Sequence, residues 1–275
     1  MDAQLDAFAR EVNRPDEEID LLRAALEMGR FAYPDLDTEA HIHRLTRLAD
    51  AASRYLLESD DISPLALARF LFEVVGFAGN AEHYTDPRNS FLNEVLVRRL
   101  GIPISLSVVY LEVARRSNVA AEGVGLPGHF IVRVHDPNGQ VMYLDPFHRG
   151  AVLTEADCRA RVHALTAGRL PFHPAFLQPV GRRYILTRML NNLKHSYLAR
   201  GDVASAAQIV ERLLVLSPDD LEVMRDLGVL YAQLGKVRAA ISLLQRYVEE
   251  RPTAPDVPAI QAMLRELVQR ASRWN

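Results

Sequence analysis

Residues 193–218, LKHSYLARGDVASAAQIVERLLVLSP, recur 34 positions further on as LGVLYAQLGKVRAAISLLQRYVEERP at 227–252. At that one offset Leu193 falls on Leu227, Tyr197 on Tyr231, Gly201 on Gly235, Val203 on Val237, Ala206 on Ala240, Arg212 on Arg246 and Pro218 on Pro252. Gly201 and Gly235 sit where a helix pair must turn, and Ser217-Pro218-Asp219 and Arg251-Pro252 stop the second helix of each pair. A period of this length means stacked antiparallel helix pairs that bury small and aromatic positions against one another. Ala259–Arg270 is helical in pattern and caps the stack, because a terminal repeat would otherwise leave an apolar face bare.

The two copies resemble tetratricopeptide repeats: Leu227-Gly228-x-x-Tyr231, then Ala240 and Pro252, stand at that family's spacing. The first copy departs from it at Lys194, where a small residue is usual. The resemblance implies a concave surface that serves as a peptide groove, hence a protein or peptide partner bound through the repeats. Two repeats and a cap are short for a free-standing solenoid, so they are expected to dock on the helical N-terminal segment.

Working outward toward the N-terminus, residues 17–31, 37–58 and 63–77 show apolar positions at helical spacing, among them Leu21, Leu22, Ala25 and Met28, then Ile42, Leu45, Leu48 and Ala52. Asp35 or Asp37, and Ser63-Pro64, supply helix-start chemistry. Gly79–Ser90 reads as a loop, followed by a helix over 91–99 that stops at Gly101, and Pro103 opens a second helix to about Ser117. The pattern then changes to period two, predicting strands over 119–124, 129–134 and 141–144. His135-Asp136-Pro137-Asn138-Gly139 forms the hairpin turn between the last two. Residues 146–180 are a connector carrying one helix, Glu155–Leu165. The expected organisation is α+β and mostly helical. Residues 1–180 hold a helical N-terminus and a core at about 86–150 with a small antiparallel sheet; residues 181–275 hold two repeats and a capping helix.

Composition narrows the function classes. The 275 residues carry 32 basic and 35 acidic side chains, a net charge of −3, which gives no general pull toward nucleic acid or membrane. Cys158 is the sole cysteine, so neither an internal disulfide framework nor a thiolate metal cage is expected. No apolar run has membrane-spanning length and the acidic start lacks a signal-peptide pattern, so a cytoplasmic protein is expected. No phosphate-binding glycine loop and no His-Glu-x-x-His motif occurs, and His41 and His43 point to different faces of a helix; no cofactor and no metal are expected. Charge is uneven, however. Residues 1–61 hold 15 acids against 7 bases, whereas 159–200 hold 8 bases and no acid. The simple account is a basic connector packed beside an acidic helical region; the alternative is an anion-binding or docking face.

The strings Asn89-Ser90-Phe91-Leu92, Arg99-Leu100-Gly101-Ile102-Pro103-Ile104-Ser105-Leu106-Ser107, Gly125-Leu126-Pro127-Gly128-His129-Phe130 and Leu144-Asp145-Pro146-Phe147 are similar to the bacterial SirB-one-type family, a transglutaminase-like core followed by tetratricopeptide repeats. The likeness covers nearly the whole chain. It implies a papain-like core in which a Cys at the start of a buried helix is the nucleophile, a His on the next strand its base, and an Asp on the following strand the group that orients the His. His129 and Asp145 match this pattern. The nucleophile does not: no Cys lies between Gly101 and Ser117, and Ser105 is the best candidate at the expected place, with Ser107 nearby. A serine at a helix start is also what capping alone selects. Two functions therefore stand side by side. One is a non-catalytic, vestigial domain whose cleft is lined by Ser105, Ser107, His129 and Asp145 and braced by Asn89 and Phe147, with the repeats binding a partner. The other is a hydrolase or acyltransferase using Ser105, His129 and Asp145 as a triad. The resemblance also implies a link to transcriptional control, but no DNA-reading element is present and direct nucleic-acid binding is not expected.

Overall fold

The computed structural model describes residues 3–136 and 138–272; Pro137, in the expected hairpin turn, lies outside the described residues. In chain order the helices are α1 (Ala3–Val12), α2 (Leu21–Glu27), α3 (Thr38–Glu58), α4 (Pro64–Arg69), α5 (Leu92–Arg98), α6 (Pro103–Arg116), α7 (Glu155–Leu165), α8 (Arg182–Ala199), α9 (Val203–Leu216), α10 (Leu221–Gln233), α11 (Val237–Glu250) and α12 (Val257–Ser272). The strands are β1 (Ala78–Gly79), β2 (Leu100–Gly101), β3 (Glu122–Val124), β4 (Ile131–His135), β5 (Val141–Asp145) and β6 (Ala151–Leu153). Two compact units result: Arg14–Met189, and residues up to Asn13 together with those from Leu190 on. The sequence reading divides the chain at 180/181; the contacts divide it inside α8 and gather α1 with the repeats.

In the first unit α6 is the central helix, buried along almost its whole length from Pro103 to Ala114. Pro103 stands at its first turn, where a missing N–H costs nothing. It packs against α3, whose buried stripe is Leu45, Ala49, Ala52 and Leu56; of the stripe expected from spacing Leu45 and Ala52 are buried, while Ile42 and Leu48 are half-buried. The Asp37 side chain caps α3 by accepting the Ala40 N–H at 2.9 Å, and Ser63 caps α4 by accepting that of Ala66 at 3.1 Å. A π-helical turn, Phe70–Val74, prolongs α4 toward the predicted end.

The sheet is an antiparallel meander in the order β3-β4-β5-β6, with Val132 opposite Leu144 and Tyr143 opposite Leu153. Asp136 closes the β4–β5 hairpin by accepting the N–H groups of Asn138 and Gln140. Three sequence expectations are corrected here. The 119–124 strand starts later, because Asn118 is left-handed at φ 55° and the Val119 N–H still bonds back to the Ala114 carbonyl of α6. The 146–180 connector contributes a fourth strand, β6, ahead of α7. The 79–90 loop begins in a short parallel pairing of β1 with β2.

In the second unit α9, α10, α11 and α12 pack in succession. Both turns fall at the expected glycines, Gly201 and Gly235, and Ala206 and Ala240 are fully buried. Pro218 and Pro252 lie just past the ends of α9 and α11. A Cβ on Gly228 would come within 2.7 Å of Leu244, so glycine there sets how closely α10 and α11 approach. Lys194, at the equivalent place in the first repeat, instead sends its ammonium 3.2 Å to Asp226. Tyr231 donates its hydroxyl to Glu211 at 2.7 Å. Of the N-terminal helices it is α1 that joins this unit, packed on α9. Among the described residues no helix is long and apolar enough to cross a membrane.

The basic and acidic stretches do meet in the first unit, where the Arg182 and Arg183 guanidinium groups donate to the carbonyls of Ile19 and Arg14. Asp16 accepts the N–H groups of Arg182 and Arg183 at 2.9 and 2.7 Å, capping α8 from far away in sequence. Replacing Asp16 with Ala is expected to lower stability by about 1–2 kcal/mol, while Asp16→Asn, which can accept only one of the two N–H groups, retains only part of it; urea unfolding of the two variants checks this.

Candidate functional site

The site grows from the end of β5. Asp145, the last residue of that strand, is completely buried. Its Oδ1 accepts the N–H groups of Phe147 and His148 at 3.1 and 3.3 Å and so caps the 3-10 turn Pro146–His148. Its Oδ2 then faces three side chains: His129 Nε2 at 2.8 Å, His148 Nδ1 at 2.8 Å and Arg161 Nη1 at 2.5 Å. Burial pushes the Asp145 carboxyl up, but the hydrogen bond and charge of His129, the hydrogen bond of His148 and the charge of Arg161 outweigh it and hold the group below its ordinary range.

His129 sits two residues ahead of β4, in a turn rather than at the strand start that the sequence predicts. Its N–H bonds back to the Leu126 carbonyl at 3.1 Å, and the Arg188 guanidinium clamps the carbonyls of Leu126 and His129, each at 3.2 Å. The ring is 7% exposed. An ionised carboxylate only accepts, so Nε2 is the donor to Asp145 and Nδ1 is left as the basic nitrogen of the ring.

Phe147 lies edge-on to His129 at 6.4 Å and to His148 at 5.2 Å, and Tyr84 stands over it at 5.8 Å. The turn bearing Phe147 presses on β1, where a Cβ on Gly79 would meet the Phe147 carbonyl at 2.5 Å. Asn89 is fully buried and acts one layer away. Its Oδ1 accepts Asn80 Nδ2 at 3.0 Å and its Nδ2 donates to the His83 carbonyl at 2.7 Å, pinning the loop that carries Tyr84.

The two serines are buried at the start of α6. Ser105 Oγ donates to the Asn89 carbonyl at 2.6 Å and accepts the Ile102 N–H at 3.1 Å. Ser107 Oγ donates to the Pro103 carbonyl at 2.8 Å. Among the described residues, the hydrogen-bond partners of both hydroxyls are backbone atoms. Cys158 is buried among Val124, Leu126, Ile131 and Val162, and burial pushes its thiol up to about 11. The structure thus brings His129, Asp145 and Phe147 together and adds His148 and Arg161, which the sequence reading does not single out as site residues.

Asp145→Asn keeps the shape but removes the charge that holds Arg161, and is expected to cost about 2–3 kcal/mol at neutral pH, less than for a fully buried pair because Arg161 and His148 reach solvent. The native carboxyl is depressed, so its contribution is present above the ordinary carboxylate range, near pH 4, and fades as pH falls through the lower folded-state value. Urea unfolding at pH 7 and pH 3 should show the gap between the two proteins closing in acid.

Comparison with known proteins follows the same division of the chain. The family described as transglutaminase-like superfamily matches residues 39–191, and the tetratricopeptide repeat family matches residues 193–265. A UPF0162 protein of Xylella fastidiosa (strain Temecula1) is 38% identical, covering 92% of this chain and 91% of its own. Protein SirB1 of Salmonella typhimurium is 27% identical over 87% of this chain and 88% of its own. Among solved structures, the crystal structure of menin is similar at a TM-score of 0.41 and 10% identity, covering 88% of this chain and 68% of that one. With a transglutaminase-like domain followed by tetratricopeptide repeats and near full-length relatives of the same kind, the chain belongs to the SirB-type, or UPF0162, family.

Proposed function

We propose that this protein is a non-catalytic, transglutaminase-like scaffold that holds a protein or peptide partner on its repeats. The observation that carries the reading is the Ser105 hydroxyl, whose single proton is given to the Asn89 carbonyl at 2.6 Å. Acyl transfer by a serine needs that proton taken by an imidazole within hydrogen-bond reach, about 3.2 Å. Cys158 supports the same conclusion, since a thiol raised to about 11 is almost wholly protonated at neutral pH.

On the repeat side, support comes from a groove of about 430 Å³ lined by Leu5, Ala9, Leu214, Val215, Pro218 and Leu227, with Glu211 and Tyr231 at the same surface. An apolar trough with a few polar groups suits the apolar face of a short helix or an extended segment. The triad alternative, Ser105-His129-Asp145, keeps one favourable observation: the basic Nδ1 of a His129 already oriented by Asp145.

Two experiments separate these readings. The full chain treated with an acyl-directed fluorophosphonate should carry no label on Ser105, and Ser105→Ala should lower stability by about 1–3 kcal/mol because buried backbone groups lose their partner. Labelling of Ser105, lost in the alanine variant without any stability change, would restore the triad. Peptides selected from a displayed library on the full chain should bind Val215→Glu at least tenfold more weakly; equal binding to that variant overturns the groove.

A further inference from the structure

We infer that His129, Asp145 and His148 form a binding site for a late first-row divalent cation of the zinc class, which exchanges for the Arg161 guanidinium. Nε2 of His129, Oδ2 of Asp145 and Nδ1 of His148 all lie within 4.8 Å of one another. The oxygen is 2.8 Å from each nitrogen. Donors held about 2.1 Å from one tetrahedral ion stand roughly 3.4 Å apart, so the two imidazole nitrogens close on one another by about an ångström when the ion enters, a swing open to the half-exposed His148. Two imidazoles with one carboxylate suit zinc, cobalt or iron(II) rather than calcium or magnesium, which prefer oxygen throughout.

The position of Arg161 is the second observation. A guanidinium ordinarily grips a carboxylate with two parallel N–H bonds. Here a single atom, Nη1, stands among the three donors, 2.5 Å from Asp145 Oδ2, 2.9 Å from His148 Nδ1 and 3.5 Å from His129 Nε2. Nη1 occupies the place an ion would take. The arrangement is also crowded with donors, since three nitrogens converge on one carboxylate oxygen that offers about two lone pairs. An ion in place of Nη1 turns the imidazole nitrogens into ligands; the proton on His129 Nε2 then resides on Nδ1 of the same ring.

The surroundings are those of a supported site. Asp145 is fixed from behind through Oδ1 by the N–H groups of Phe147 and His148, which leaves Oδ2 as the presented atom. The His148 side chain is 51% exposed and that of Arg161 25%, so one edge is open to an arriving ion and to the departing guanidinium. The three ligands come from a turn before β4, the end of β5 and the turn after it, which is why no linear motif announces them. This assignment does not rest on the repeats binding a partner.

The test is equilibrium dialysis of the untagged full chain against zinc, with the visible absorption of bound cobalt as a second readout. One ion per chain is expected. His148→Ala, chosen because the residue is half exposed and its loss leaves the core intact, should weaken binding at least tenfold. Arg161→Gln should tighten it by roughly tenfold or more, the scale of effect seen for groups around a metal. Equal uptake by wild type and His148→Ala overturns the proposal, as does binding by Arg161→Gln no tighter than that of wild type.

Discussion

A carboxylate sealed from water must be met by donors on every side, and the middle of this molecule is arranged around one such group. Asp145 has no exposure at all. Leaving it unpaired would cost several kcal/mol. The chain answers with the 3-10 turn that follows the residue, the turn that precedes β4, and the first turns of α7's outer face, each delivering one or more N–H groups. The geometry of β4 against β5 is what makes this possible: pairing Val132 with Leu144 carries the start of one strand to the end of the other. His129 is thereby aligned without having to be long or mobile.

The start of α6 obeys a different need. Its first N–H groups have no partner within the helix, and Ser105 turns back to accept that of Ile102. Its proton goes to the Asn89 carbonyl, while the Asn89 side chain holds the preceding loop. A nucleophile at a helix start and a cap at a helix start look alike in sequence. They differ in where the hydroxyl points, and here the bare Gly101 leaves Ser105 room to turn back on the backbone: a Cβ on Gly101 would lie 2.7 Å from its oxygen.

Much of this was legible beforehand, and the exceptions have physical causes. The repeats announce themselves because stacked helices reuse the same small and aromatic contacts at one period, and Gly201, Gly235, Ala206 and Ala240 all stand where that predicts. Pro103 and Ser63-Pro64 mark helix starts because their chemistry is local. The coming together of His129 and Asp145 was also legible, through the family resemblance and their places at the start of one expected strand and the end of the next. β6 was not, because three residues of which two are exposed show no alternation. β1 and β2 are two residues each and exist only through one another. Arg161 and His148 escaped notice for the same kind of reason: one faces Asp145 from sixteen positions away on another element, and the other is brought inward by a turn whose shape depends on the carboxylate itself.

The grouping of α1 with the repeats bears on the order in which the molecule can assemble. α1 precedes the transglutaminase-like unit in the chain, yet the surface of α9 on which it packs is made some two hundred residues later. Domains generally fold as they emerge, from the N-terminus onward. In this chain the transglutaminase-like unit is free to do so, while α1 waits with its apolar face uncovered until the repeats have been synthesised. The repeat unit is thus completed only by joining segments from either side of the transglutaminase-like unit, and a fragment cut to the repeats alone would lack a helix that the sequence order hides.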